Sequence, residues 1–175
     1  MRVLLIDDDH TPREILKSTI LSKYPDATFV ECVNGQEGMD TYDSDEGFDL
    51  IIIDYIMPEK DGSDVVQYIR KEKGDKTTPL IMCTSKHDRN TVLKLIEAGV
   101  SDYLSKPFDT ERALAKIDRA LKRKKAREER KPKSSLKHAA VGDDIIDDSE
   151  TQVISLDAKD DDDGEAMELS DEDFQ

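Results

Sequence analysis

Five polar residues lie at the ends of short apolar runs, and together they carry the groups that phosphoryl chemistry needs. They are two adjacent carboxylates, a third carboxylate, a hydroxyl and an ammonium: Asp7, Asp8, Asp54, Thr84 and Lys106. Short apolar runs rich in β-branched residues are typical of strands that are buried on both faces of a parallel sheet. Because open α/β sheets bind ligands at the carboxyl ends of their strands, we expect these side chains to lie together at one edge.

Three carboxylates at one sheet edge repel one another, so the cluster requires a proton or a cation. Proteins usually hold Mg²⁺ through one or two carboxylates, a carbonyl, waters and a phosphoryl oxygen. A carboxylate can act as a nucleophile and form an acyl phosphate, while a metal ion and an ammonium neutralise charge on the phosphoryl oxygens. The residue types therefore indicate phosphoryl transfer to a carboxylate with Mg²⁺ as the cofactor.

Each of these residues has a simpler interpretation when it is taken alone. Asp54 could end a strand or begin a turn, as aspartate often does. Thr84 could be an ordinary strand-end hydroxyl, and Lys106 a solvated loop lysine. These interpretations do not explain why all three residues fall at predicted strand ends, so their joint placement favours a functional site.

The elements that position these residues alternate between strand and helix patterns. Strands are predicted over five short runs: 2–6, 28–33, 48–54, 79–83 and 100–104. Helical spacing of apolar residues predicts a helix after each strand, the second over 36–44 and the third over 63–73. Five strand-helix units in succession predict an α/β fold with a doubly wound parallel sheet.

Capping residues predict where the helices begin and end. Thr11 followed by Pro12 predicts a hydroxyl N-cap for the first helix, and Gly99 is predicted to end the fourth. Aspartates are predicted to cap three later helices: Asp61, Asp88 and Asp109. Apolar residues at helical spacing predict the buried stripe of the last helix: Leu114, Ile117 and Leu121.

The sequence resembles the response-regulator receiver family over residues 2 to about 122. Four motifs carry the resemblance: Asp7-Asp8; Asp54-Tyr55-Ile56-Met57-Pro58 with Asp61-Gly62; Thr84-Ser85; and Lys106-Pro107-Phe108. Four landmarks in the right order, each at a predicted strand end, are far more specific than any one of them. The resemblance implies the flavodoxin-like strand order 2-1-3-4-5, helices on both faces, and a stand-alone signalling protein of a two-component phosphorelay.

The resemblance also implies a role for each site residue. Asp54 corresponds to the residue that a sensor histidine kinase or phosphotransfer protein phosphorylates, and the protein is expected to catalyse only its own phosphorylation and slow autodephosphorylation. The implied Mg²⁺ ligands are Asp7, Asp8, Asp54 and the backbone carbonyl of Ile56. Thr84 resembles the switch hydroxyl, Tyr103 the aromatic that turns inward on activation, and Lys106 the phosphoryl partner, with a cis bond to Pro107.

A downstream protein, or a second copy of this chain, is expected to bind a surface formed by the fourth helix, the fifth strand and the fifth helix. By the same resemblance, phosphorylation repacks this surface, so that new charge at the site changes which partners bind. The sequence identifies neither the kinase nor the target.

A phosphohydrolase of the haloacid dehalogenase type is the alternative interpretation. Asp7-Asp8-Asp9-His10-Thr11 satisfies its Asp-x-Asp-x-Thr motif, with Asp7 and Asp9 as the working acids. Its last acidic motif would have to come from Asp143 and Asp147, which no convincing strand precedes. This interpretation also leaves the stretch 54–62 unexplained.

Charge divides the chain into three parts, with a net formal charge of −15 for all 175 residues. Lys and Arg number 16 against 24 Asp and Glu over 1–121, 7 against 2 over 122–131, and 3 against 15 over 132–175. We therefore predict a receiver domain over 1–122, a basic extension of the last helix over 123–131, and an acidic tail over 132–175. The acidic balance argues against specific nucleic-acid binding, which needs accumulated positive charge.

The tail is too acidic and too poor in aromatic residues to bury a core, so it is expected to be disordered and to offer no DNA-binding output domain. Its interpretation stays open between an inert solvating segment, an autoinhibitory segment that binds the basic helix or the neighbouring output surface, and a docking motif for another protein. No apolar run approaches the roughly 20 residues of a membrane span, and Cys32 and Cys83 read as buried apolar residues, so a cytoplasmic location is expected.

Overall fold

A computed structural model of the chain describes residues 1–44, 47–85 and 89–130. Its strands are β1 (Arg2–Ile6), β2 (Thr28–Cys32), β3 (Leu50–Asp54), β4 (Leu80–Thr84) and β5 (Asp102–Ser105). Its helices are α1 (His10–Lys23), α2 (Gly35–Ser44), α3 (Gly62–Gln67), α4 (Arg89–Glu97) and α5 (Thr110–Arg130). The acidic tail and the predicted helix cap Asp88 lie outside the described residues.

The five strands form one sheet in the order β2-β1-β3-β4-β5, and each neighbouring pair is parallel. This confirms the predicted doubly wound α/β fold and the flavodoxin-like order. β3 lies at the centre of the sheet, and all five of its residues are buried. Its unbroken apolar run follows from that position, since helices cover both faces of a parallel sheet.

Alternate strand residues supply the two faces of the sheet. One face packs against α1 and α5 in an apolar core that includes Leu5, Ile52 and Ile81 from the strands and Ile20 and Ile117 from the helices. Each such side chain, when fully buried, contributes roughly 1.5–3 kcal/mol to the free energy of folding. The core thereby fixes the strands whose carboxyl ends carry the polar residues.

Capping residues account for four of the helix ends, and one predicted cap was wrong. The N-cap of α1 is Asp9, whose carboxylate accepts from the amide of Thr11, so the prediction of Thr11 as the cap was wrong. Asp61 forms a capping box with Asp64 at the start of α3, and Asp109 accepts from two amides of the first turn of α5. Gly99 ends α4 with φ 91° in a Schellman motif, as predicted.

Two helices differ from their sequence patterns. α3 ends at Gln67, and a π-helical segment over Tyr68–Glu72 completes the predicted 63–73 helix. The buried residues of α5 are Ala113, Ile117 and Ala120, whereas Leu114 and Leu121 are only partly buried. Leu121 still packs against the core, so the predicted stripe is displaced at Leu114, where the buried position is the neighbouring Ala113. Among the described residues, no helix is long and apolar enough to cross a membrane.

The amino edge of the sheet, opposite the polar residues, is held by hydrogen bonds to backbone groups. Arg70 donates to the carbonyls of Asp75 at 2.7 Å, Thr78 at 2.7 Å and Gly99 at 2.9 Å, which ties the π-helical segment to the loops before β4 and β5. Asp49 accepts from the amide of Arg2 at 2.9 Å and from Nζ of Lys124 at 3.2 Å. The two contacts of Asp49 join β1 and α5 to the residue that precedes β3.

Candidate functional site

The carboxyl edge of the sheet brings three of the predicted acids together. Asp54 is the last residue of β3, while Asp7 and Asp8 follow β1, whose Ile6 lies beside Ile53. One carboxylate oxygen from each acid lies within 4.8 Å of the other two. Carboxylate oxygens are the ligands that Mg²⁺ prefers, so this donor set fits a magnesium ion.

Lys106 joins two of these acids. Its Nζ lies 2.8 Å from Oδ2 of Asp7 and 2.9 Å from Oδ1 of Asp54. The Asp7 and Asp54 side chains are only 4% and 11% exposed, and the Lys106 side chain is 21% exposed. Attraction between these charges is therefore weakly screened, and the ammonium offsets repulsion between the two carboxylates.

The electrostatic environment shifts the pKa values of Asp54 and Lys106. Burial raises the pKa of Asp54 above its ordinary value, with a smaller contribution from Asp7 in the same direction, against the opposing effect of Lys106. Burial lowers the pKa of Lys106, but its hydrogen bonds to Asp7 and Asp54 outweigh burial and raise it overall. Lys106 is thus held as a cation inside a partly desolvated acidic site.

The predicted switch residues lie on the two strands beyond β3. Thr84 ends β4 with 1% of its surface exposed, and its carbonyl accepts from the amide of Lys106 at 2.8 Å. Tyr103 lies on β5, is 3% exposed, and has Nζ of Lys116 at 4.3 Å from its ring centroid. The Lys106–Pro107 bond is cis, as the resemblance implied.

The loop from β3 to α3 passes close over the end of β3. A Cβ added to Gly62 would lie 2.3 Å from the carbonyl oxygen of Asp54 and 2.8 Å from Sδ of Met82, so only glycine fits this approach. The amide of Gly62 donates to the carbonyl of Tyr55 at 3.1 Å. Ile56 lies in this loop with 53% of its surface exposed.

Asp9 has a structural role at the start of α1. Asp9 uses its carboxylate to cap α1, so it serves the helix and does not join the acid cluster as the phosphohydrolase alternative required.

Arg13 is buried and donates through Nη1 to the carbonyl of Asp7, a contact that the sequence analysis did not predict. The available signal was its spacing, since Arg13 precedes the buried Leu16 by three residues and Ile20 by seven.

Comparison with known proteins identifies the family. A family model described as the response regulator receiver domain matches residues 3–118. This chain belongs to the response-regulator receiver family. Receiver domains are signalling proteins rather than conventional enzymes, they interact with histidine kinases, and they typically bind Mg²⁺ at an acidic pocket. The receiver assignment accounts for the stretch 54–62, which the phosphohydrolase alternative left unexplained.

Individual relatives agree with this assignment. The chain is 32% identical over 121 residues to a chemotaxis protein CheY homolog of Campylobacter jejuni, which covers 69% of this chain and 92% of that protein. It is 32% identical over 121 residues to the sensor histidine kinase CheAY of Helicobacter pylori, covering 69% of this chain and 15% of the kinase. The solved chemotaxis protein CheY4 of Vibrio cholerae is similar with a TM-score of 0.61 and 26% identity, covering 68% and 97% of the two chains. The receiver described here is thus CheY-like.

Proposed function

We propose that this receiver is the phosphoacceptor of a two-component phosphorelay and that Asp54 takes the phosphoryl group. The observation that carries the proposal is the placement of Asp54 within 4.8 Å of the Asp7 and Asp8 oxygens and 2.9 Å from the Lys106 ammonium. A carboxylate in this position lies at the carboxyl edge of the sheet, beside groups that can neutralise an incoming phosphoryl group.

The transfer step uses the side chains of this chain in defined roles. A carboxylate oxygen of Asp54 attacks the phosphorus of a phosphohistidine, an O–P bond forms, and the N–P bond breaks as the imidazole leaves with its electron pair. The Lys106 ammonium, already beside Asp54, pairs with a phosphoryl oxygen, and the hydroxyl of Thr84 donates to another. In this proposal Asp7, Asp8, Asp54 and the carbonyl of Ile56 hold Mg²⁺. When bound, that ion supplies positive charge to the equatorial phosphoryl oxygens.

Phosphorylation is tested with a small donor, so that the kinase need not be known. Incubation with acetyl phosphate and Mg²⁺ should add one phosphoryl group per chain by intact mass, and EDTA should prevent the addition. Sustained release of inorganic phosphate from phosphomonoesters, without a stable adduct, would instead support a phosphohydrolase. Absence of an adduct at saturating Mg²⁺ would contradict the proposed function.

The output surface of the proposal comprises α4, β5 and α5. Thr84 and Tyr103 connect this surface to the site, because Thr84 ends β4 and Tyr103 lies beside Met82 of the same strand. Beryllofluoride, which mimics a phosphoryl group on Asp54, should therefore change binding of a protein target or of a second copy. The measurement is gel filtration and partner pull-down with and without beryllofluoride. Unchanged behaviour in both would contradict a switch at this surface.

A further inference from the structure

Arg13 is a buried cation that touches the backbone of the acid cluster. It lies on α1, is 8% exposed, and donates through Nη1 to the carbonyl oxygen of Asp7. Its Nε donates to Oε2 of Glu31 on β2 at 3.0 Å. The planar guanidinium can bridge two acceptors in this way because its donors form a rigid fork.

The carbonyl of Asp7 belongs to the peptide bond that joins Asp7 to Asp8. A peptide unit is planar, so holding its oxygen fixes the plane from which the Cα of Asp8 departs. Asp7 is held at further points, since its Oδ1 accepts from the amide of Asp9 at 2.9 Å and its Oδ2 from Lys106. Asp8 is exposed, so the direction of its carboxylate depends more on this peptide plane.

Glu31 anchors Arg13 from the other side. Its second oxygen accepts from Nζ of Lys17 at 2.7 Å, and Lys17 also contacts Glu14 at 2.8 Å. The pairing offsets the cost of burying the guanidinium and holds it in one orientation. Arg13 therefore connects β2 and α1 to the one peptide unit that carries both adjacent acids.

We infer that Arg13 is a positioning residue that aims the carboxylates of Asp7 and Asp8 at a bound metal ion; this inference rests on the proposed Mg²⁺ site. Loss of positioning by Arg13 and loss of its positive charge should change the affinity for Mg²⁺ in opposite directions. A nearby cation repels Mg²⁺, so removing the charge alone would tighten Mg²⁺ binding. Loss of positioning would weaken it, as loss of groups that orient metal ligands generally does.

The test is the Mg²⁺ dissociation constant of Arg13→Met, measured by isothermal titration calorimetry on the full chain. Methionine replaces the aliphatic part of the arginine side chain and has no donor, so the peptide unit should lose its anchor while the apolar contacts of residue 13 are largely kept. We expect the dissociation constant to rise on the order of 10-fold. Thermal unfolding of each variant in EDTA is measured first, and the Mg²⁺ titrations are then run at a temperature at which every variant is folded. Binding by Arg13→Met as tight as or tighter than that of the unmodified protein would overturn the inference.

Lys23→Met is the matched control. It removes one positive charge from the same helix, where Lys23 pairs with Asp118, and it leaves the contacts among Arg13, Glu31 and Asp7 in place. Mg²⁺ binding should therefore stay within about twofold of the unmodified protein, a difference of roughly 0.4 kcal/mol. If Arg13→Met does not fold, Arg13→Lys decides. It keeps the charge without the fork and should bind Mg²⁺ more weakly than the unmodified protein, and equal binding would overturn the inference. An unmodified protein that binds no Mg²⁺ would overturn both this inference and the proposed function.

Discussion

Asp54→Asn should abolish phosphoryl uptake from acetyl phosphate at saturating Mg²⁺. The amide is nearly isosteric with the carboxylate but lacks the charged nucleophilic oxygen, so no acyl phosphate can form. Asp54 is the acid at the centre of the sheet and the one that contacts Lys106 from β3. Intact mass after incubation is the measurement, and circular dichroism shows whether the variant is folded.

Asp9→Asn is the matched control for this substitution. It makes the same chemical change two residues after Asp7, and asparagine caps helices about as well as aspartate, so α1 should keep its start. Labelling of Asp9→Asn should equal that of the unmodified protein. Normal labelling of Asp54→Asn, or loss of labelling in Asp9→Asn, would contradict Asp54 as the acceptor and favour chemistry at the first acidic run.

Lys106→Met should lower the stability of the protein in EDTA and increase the stabilisation that Mg²⁺ provides. In EDTA the substitution leaves Asp7 and Asp54 without the ammonium that lies 2.8 and 2.9 Å from them. Losing one partner of partly buried charged hydrogen bonds should lower the free energy of unfolding by about 2 kcal/mol. Mg²⁺ should restore much of this loss, because the ammonium no longer competes with the metal ion for the same oxygens. The Mg²⁺-induced rise in melting temperature should exceed that of the unmodified protein.

Lys124→Met provides the comparison at the other edge of the sheet. Lys124 is also partly buried and also contacts an aspartate, Asp49 at 3.2 Å, but it lies far from the acid cluster along the strands. Its loss should lower the melting temperature without changing the increment produced by Mg²⁺. An equal Mg²⁺ increment in Lys106→Met and the unmodified protein would show that Lys106 does not compete with the metal ion.

Strand positions could be predicted from the sequence because the buried strands are nearly uninterrupted apolar runs. Leu50–Asp54 is the clearest case, since every residue of the strand is buried and a carboxylate ends it. The order of the strands came from the resemblance to receivers, because an apolar run does not specify its neighbours. The N-cap of α1 could not be predicted from residue types, since aspartate and threonine are both favoured at this position. The path of the chain after β1 determines that Asp9, and not Thr11, is the cap.

Site residues could be predicted where their side chains carry the chemistry. A residue that acts by holding a backbone group was harder to predict. The sequence predicts three site residues from their positions at strand ends: Asp7, Asp54 and Lys106. In the structure, Lys106 contacts both acids. Arg13 was overlooked because arginine in the first turn of a helix usually faces solvent, and only its spacing to Leu16 placed it inward. Which peptide oxygen it contacts depends on how α1 packs on β1, and local sequence does not specify that packing.

The opposite edges of the sheet should respond differently to ionic conditions. At the carboxyl edge, the described contacts include the ion pairs of Lys106 with Asp7 and Asp54, and in the proposed function a divalent cation or a phosphoryl group exchanges with these partners. At the amino edge, Arg70 donates to the carbonyls of Asp75, Thr78 and Gly99, which neither titrate nor bind magnesium appreciably in water. The Asp49–Lys124 pair at that edge is sensitive to salt but is distant from the acid cluster. In the proposed function, phosphorylation of Asp54 therefore rearranges contacts at the carboxyl edge, while the contacts of Arg70 at the amino edge stay unchanged.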